Sequence, residues 1–167
     1  TLTSQEVKAV LVSFPHNPTT LTVNQEFYDE LVSLARRYNF LIINDFAYSD
    51  IYFNEEKPPS LLNSDPQFDH TVELYSLTKG YSMAGWRVGF AVGNESAISS
   101  LTKLKSYIDY GTFQPIQIAS TVAINELDDY PREVSSIYQD RKILAEEYLT
   151  KYGCLLYTSP SPRDWLQ

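Results

Sequence analysis

Short apolar runs that stop at polar turns alternate along this chain with stretches in which apolar residues recur at helical period. Residues 7–14 (VKAVLVSF) form a β-branched run ended by Pro15, the pattern of a buried strand. His16-Asn17-Pro18 then reads as a turn, with Asn17 biased towards extended backbone by the proline that follows. Thr22 and Gln25 have capping-box spacing. Behind them Phe27, Leu31, Leu34 and Ala35 repeat at helical period, which predicts an amphipathic helix over 24–38. Residues 40–43 are the next buried strand, ending on Asn44-Asp45. Strand, helix and strand at this spacing predict a parallel pair.

After a Pro/Asn/Asp-rich loop over 54–69, residues 71–77 and 88–92 read as a third and a fourth strand. Only about ten residues separate them, around Lys79 and a turn containing Gly85 and Arg87. A parallel crossover needs a dozen or more, so the fourth strand should run antiparallel. Asn94 is placed to cap a helix over 95–108, and Pro115 to start one reaching 127. Pro131 is placed to start a long helix reaching 152, with Gly153 to end it. The fold class is therefore α/β, a mostly parallel sheet with one antiparallel strand and helices on both faces. Beyond Gly153 the residues have no period and carry a Ser-Pro repeat that neither helix nor sheet accepts. Residues 154–167 are expected to be a non-native or disordered tail.

Composition narrows the function more than the fold. With 167 residues, 43% apolar and 20% charged, the chain is long enough and apolar enough to bury a core. A formal charge of −8 argues against a nucleic-acid partner, and no apolar run approaches the roughly 20 residues that cross a bilayer. Cys154 is the single cysteine, so no internal disulfide can form, which fits a reducing, cytoplasmic setting. His16 and His70 stand apart, and no His/Cys metal site is expected. The chain opens on Thr1, so the missing signal peptide carries no information.

Asn17, Asp45 and the Ser76–Lys79 pair all fall at or just past the C-terminal ends of predicted strands, the edge at which open α/β sheets bind ligands. A carboxylate directly after a buried strand is poorly hydrated and wants a cationic partner. A lysine in a partly desolvated pocket is freed as a nucleophile. Arg87 offers the planar fork that suits a phosphate dianion. Singly, each has a blander reading: a turn carboxylate, a solvated lysine, a structural ion pair. The joint pattern carries the argument.

Ser76-Leu77-Thr78-Lys79 followed by Gly85-Trp86-Arg87-Val88-Gly89 resembles the S-x-x-K-x5-G-x-R-x-G signature of the class I/II aminotransferases, which are pyridoxal 5'-phosphate (PLP) enzymes of fold type I. Asn44-Asp45-Phe46-Ala47-Tyr48 resembles their D-x-x-Y segment and Asn17-Pro18 their N-P turn, and the likeness runs over about residues 5–152. It implies that Lys79 carries PLP as a Schiff base and then moves the proton between the substrate α-carbon and the cofactor. Asp45 would pair with the pyridine nitrogen, and Tyr48 and Asn17 would hydrogen-bond the phenolic oxygen. Ser76 and Arg87 would hold the phosphate, while Gly85 and Gly89 would permit close backbone approach. The catalytic set is thus Lys79, Asp45 and Tyr48, and the cofactor-binding set adds Asn17, Ser76 and Arg87.

Finer likenesses, Ala47 to Ile51, Met83 to Arg87 and Lys105 to Pro115, resemble bacterial alanine (glutamate–pyruvate) aminotransferases and in part LL-diaminopimelate aminotransferases. The resemblance implies a transaminase acting on an amino acid and a 2-oxo acid, with a homodimeric full-length protein. Other fold-type I chemistry, such as a C–S lyase, remains open, as does a PLP-sensing domain of a transcription regulator. It also implies three regions: part of the PLP-binding large domain over 1–128, a long helix over 129–153 leading towards a small domain, and the tail. On that division the upstream phosphate and ring-stacking segment and the substrate-carboxylate arginine lie elsewhere, and residues 1–167 alone should not turn over. Asp50 reads as a surface turn position, Trp86 as packing, Lys103, Lys105, Glu146 and Glu147 as solvated helix faces, and Cys154 as inert.

Overall fold

Four strands lie side by side in chain order in the computed structural model, which describes residues 7–53 and 56–154. β1 (Ala9–Ser13), β2 (Leu41–Asp45) and β3 (Thr71–Ser76) are parallel, and β4 (Gly89–Gly93) runs antiparallel to β3. The short β3–β4 connection leaves no length for a crossover, and the expected reversal follows. Ser13 pairs with Asp45 and Asp45 with Leu74, so the parallel strands end nearly level and form one edge.

α1 (Gln25–Tyr38) crosses from β1 to β2 and lays Tyr28, Val32 and Ala35 on Ile42, with Phe40, Leu61, Val10 and Val12 completing the main core. Burying each large side chain contributes roughly 1.5–3 kcal/mol. The start of α1 differs from the capping-box expectation. Asn24 is the cap, its side chain accepting from Phe27 N at 3.1 Å, whereas a box built on Thr22 would need Gln25 in the third helical position rather than the first. Asn39 closes the helix in left-handed backbone (φ 53°), a conformation asparagine tolerates better than most residues.

Polar groups pin the loop after β2 to the sheet. Glu73 is buried and accepts from Asn44 Nδ2 (3.0 Å), Ser60 Oγ (2.7 Å) and Leu61 N (2.8 Å). Asp65, fully buried, accepts from His70 N (2.8 Å), Thr71 Oγ1 (3.2 Å) and Arg36 Nη2 (3.0 Å). Burial alone would raise the Asp65 carboxyl, but these donors and the Arg36 charge outweigh it and hold it below the usual carboxylate range.

The third strand ends at Ser76, one residue earlier than expected, because the chain turns at once into α2 (Leu77–Gly80). Leu77, Met83 and Ala123 form a second core cluster under that turn. α3 (Glu95–Ile108) is capped by Asn94 as anticipated, its Oδ1 accepting from Ala97 N at 3.0 Å. α4 (Gln114–Glu126) and α5 (Tyr130–Lys151) follow, and α5 buries only Pro131, Val134 and Ser135. No residue of α3 is buried, so Leu101, Leu104 and Ile108 are as open as Lys103 and Lys105. On the sheet face away from α1, Leu11 is exposed too. Glu146 lies on the α5 surface and pairs with Lys142 at 3.3 Å; Glu147 and Cys154 are exposed. Residues 155–167, most of the expected tail, lie outside the described residues.

Candidate active site

The ends of β1, β2 and β3 open into a cavity of about 490 Å³ lined by Asn17, Asp45, Tyr48, Ser76, Lys79 and Arg87, together with Ser13, His16, Ala47 and Thr78. All six residues singled out in the sequence meet there, from four separate segments. β1 delivers Asn17, β2 Asp45 and, through its tight turn, Tyr48. Ser76 ends β3 and caps α2, its Oγ accepting from Thr78 N at 3.2 Å, and Lys79 follows within α2.

Contacts among the lining groups order them relative to one another. Asn17 Nδ2 donates to Tyr48 Oη at 3.2 Å. Lys79 Nζ stands 5.2 Å from the centre of the Tyr48 ring, within cation–π range. Asp45 Oδ1 accepts from Ala47 N at 3.2 Å, which fixes the turn and the carboxylate together. Asp45 is exposed, so the poor hydration expected of it is not met among the described residues: the strand ends at the cavity mouth rather than inside the sheet.

Arg87 adopts left-handed backbone (φ 52°), a conformation that costs a non-glycine residue roughly 1–2 kcal/mol. Its exposed side chain donates from Nη1 to Ala84 O at 3.3 Å, a contact that leaves most of the guanidinium fork free to meet an anion. Gly89 behaves as expected: a Cβ there would come within 2.5 Å of the Tyr75 carbonyl oxygen. Gly85 does not. A Cβ on it would meet nothing within 4 Å, so its place in the turn is not set by close backbone approach. Trp86 is half exposed rather than packed into the turn.

Ser13 and His16 escaped the sequence reading. The signal for Ser13 was its place as the last residue of β1, in register with Asp45, and it donates from Oγ to Asp45 O at 3.3 Å. The signal for His16 was its adjacency to Asn17; its Nδ1 lies 2.7 Å from Thr19 Oγ1. Among the described residues no group of His, Cys, Asp and Glu could hold a metal ion, and no helix is long and apolar enough to cross a membrane.

A lysine, a strand-end carboxylate and an arginine around one cavity make a combination that family comparison can test, and residues 1–156 match the family described as "Aminotransferase class I and II". The chain belongs to the class I and II aminotransferases. This family is PLP-dependent. The chain is 41% identical to an LL-diaminopimelate aminotransferase of Nitratidesulfovibrio vulgaris (strain DSM 19637 / Miyazaki F), over 90% of this chain and 39% of that protein. It is 39% identical to the glutamate-pyruvate aminotransferase AlaC of Escherichia coli K12, over 89% and 36%. The solved aminotransferase of Staphylococcus aureus superimposes with a TM-score of 0.80 at 38% identity, covering 86% of this chain and 38% of that one. The aminotransferase fold, fold type I, is thereby established for the described sheet and its helices. The chain spans about two fifths of the length of the curated relatives it matches.

Proposed function

We propose that the full-length protein carrying this chain is a PLP-dependent aminotransferase of amino acid metabolism, of the alanine/glutamate–pyruvate type, in which Lys79 bears the cofactor. The observation that carries this reading is the meeting of Asn17, Asp45, Tyr48, Ser76, Lys79 and Arg87 around one cavity at the C-terminal edge of the parallel strands. The donor set fits the cofactor. Arg87 and Ser76 offer uncommitted donors for a phosphate, and Asp45 keeps a carboxylate oxygen for a pyridinium N–H.

When bound, PLP supplies an electron sink for the carbanion formed at the substrate α-carbon. The remaining roles belong to this chain. The Lys79 amine would hold the cofactor and would carry the proton taken from the substrate α-carbon over to the cofactor. The Asp45 carboxylate accepts the pyridine N–H and favours the protonated ring. Tyr48 Oη, held by the Asn17 amide, donates to the phenolic oxygen. Arg87 and Ser76 fix the phosphate and with it the plane of the ring. The 41% identity to an LL-diaminopimelate aminotransferase supports that substrate as a second reading. A homodimer in a cytoplasmic setting, without nucleic-acid or membrane partners, belongs to this reading; the exposed apolar side chains of α3 and the following segment, Leu104, Ile108, Tyr110 and Phe113, would be covered by a partner subunit or by the rest of the full-length protein.

Borohydride reduction of the PLP-loaded full-length protein should fix a pyridoxyl group on the peptide bearing Lys79; an adduct elsewhere removes the assignment. A 2-oxo acid formed from alanine or glutamate supports the first reading, and one formed from LL-diaminopimelate alone the second. Pyruvate with ammonia would instead mark a lyase. Residues 1–167 in isolation should show no measurable turnover.

A further inference from the structure

Tyr48 and Lys79 meet in the same cavity, and a further set of contacts between their two segments lies outside it. Asp50, two residues past Tyr48, is half-buried rather than on a surface turn, and its Oδ2 accepts from Tyr75 Oη at 2.5 Å. Both residues line a separate cavity of about 600 Å³ and neither reaches the first. The same carboxylate lies against Gly80, the residue after Lys79. A Cβ on Gly80 would come within 2.5 Å of Asp50 Oδ2 and 3.0 Å of Asp50 Cβ. Gly80 belongs to α2, where alanine is the better helix former, so its missing side chain suits the approach of Asp50 rather than the helix.

Backbone hydrogen bonds link Asp50 to Tyr48 along the loop. Ser49 N donates to Phe46 O and Ile51 N to Tyr48 O, both at 3.1 Å, so Asp50 and Tyr48 sit in one hydrogen-bonded turn. On the other side Tyr75 immediately precedes Ser76 and stacks on Phe90 at 4.9 Å, anchored in the β3–β4 ladder. Burial, followed by the Asp50 hydrogen bond and charge, pushes the Tyr75 hydroxyl well above the ordinary phenol value, so it stays a donor.

We infer that Asp50 is a positioning residue: its carboxylate, clamped between Tyr75 Oη and Gly80, sets the Tyr48 ring against Lys79 Nζ. The inference rests on the proposed function only in taking Lys79 as the amine that matters. Its measurement needs no cofactor.

Full-length protein stripped of PLP is pulse-labelled with acetic anhydride at one fixed pH, and the rate of Lys79 acetylation is read by peptide mass spectrometry. The variants are Asp50→Asn, Gly80→Ala, Tyr48→Leu and the Asp50→Asn/Tyr48→Leu pair. The Tyr48 ring holds the ammonium by a cation–π contact, so losing it should speed Lys79 acetylation about threefold. Asp45, Arg87 and His16 also line the cavity but are unchanged in every variant. Asp50→Asn removes a charge beside Gly80, whereas Gly80→Ala keeps it. Both should reproduce the Tyr48→Leu acceleration, and the pair should be no faster than Tyr48→Leu alone. An Asp50→Asn or Gly80→Ala rate identical to wild type overturns the inference, as does a further gain in the Tyr48→Leu background, which would mark a direct charge effect or general loosening. Should Asp50→Asn fail to fold, Tyr75→Phe removes only the hydroxyl that holds Asp50 and is judged by the same two outcomes. A borohydride adduct away from Lys79 sinks the proposed function and leaves the acetylation result intact.

Discussion

Replacing Asp65 by asparagine tests how the loop before β3 is held. The side chain is fully buried and accepts three hydrogen bonds, from His70 N, Thr71 Oγ1 and Arg36 Nη2, at 2.8, 3.2 and 3.0 Å. Asparagine keeps the shape but loses the charge and turns one acceptor into a donor. Arg36 is half exposed and recovers water, so its loss is worth about 1 kcal/mol at most. His70 N and Thr71 Oγ1 share Oδ2, and weakening these charge-assisted bonds costs about 2 kcal/mol. The sum for Asp65→Asn is about 2–3 kcal/mol, and roughly 1 kcal/mol more for alanine, which leaves both donors unpaired.

Hydrogen exchange in full-length protein reads this locally. At neutral pH the segment carrying the His70 amide should exchange about thirtyfold faster or more in Asp65→Asn. The pH dependence has a definite sign. The folded carboxyl is held below its unfolded value, so its contribution is complete above about pH 4 and fades as pH falls through the folded value. Wild type and variant should therefore converge in acid. Equal exchange at pH 7, or a gap that widens below pH 4, would refute the reasoning.

Three further outcomes follow from single contacts. Gly89→Ala places a Cβ within 2.5 Å of the Tyr75 carbonyl and should destabilise the β3–β4 pair by about 1–3 kcal/mol, read by thermal unfolding, whereas Gly85→Ala meets no atom and should cost far less. Arg87→Lys keeps the charge but loses the planar fork, and PLP affinity measured by fluorescence titration of the stripped full-length protein should fall by about tenfold or more. Asn94→Ala removes the bond to Ala97 N and should lower α3 stability by about 1 kcal/mol, seen as faster exchange of its first turn.

Much of this protein is legible in one dimension because its elements are local. The β-branched run before Pro15, the helical period behind Phe27 and the short link through Lys79 dictate strand, helix and antiparallel return through backbone length and side-chain period alone. Asn17, Asp45, Ser76 and Lys79 were legible for a related reason: each lies at or just past the end of a parallel strand, and parallel strands bring their ends to one edge, while Tyr48 and Arg87 were read from the motifs that carry them. At the start of α1 two local signals competed, and close approaches elsewhere were left to tertiary geometry. Asn24 took the cap from Thr22 because it lies immediately before the first helical turn. Gly80 proved to be the glycine under Asp50, while Gly85 faces nothing, because close approach depends on what stands opposite rather than on the residue itself. Asp50 shows the limit most clearly. Along the chain it is one more polar residue in a turn. Its bond to Tyr75, twenty-five positions away, arises only when β2 and β3 lie side by side and bring their trailing segments into contact.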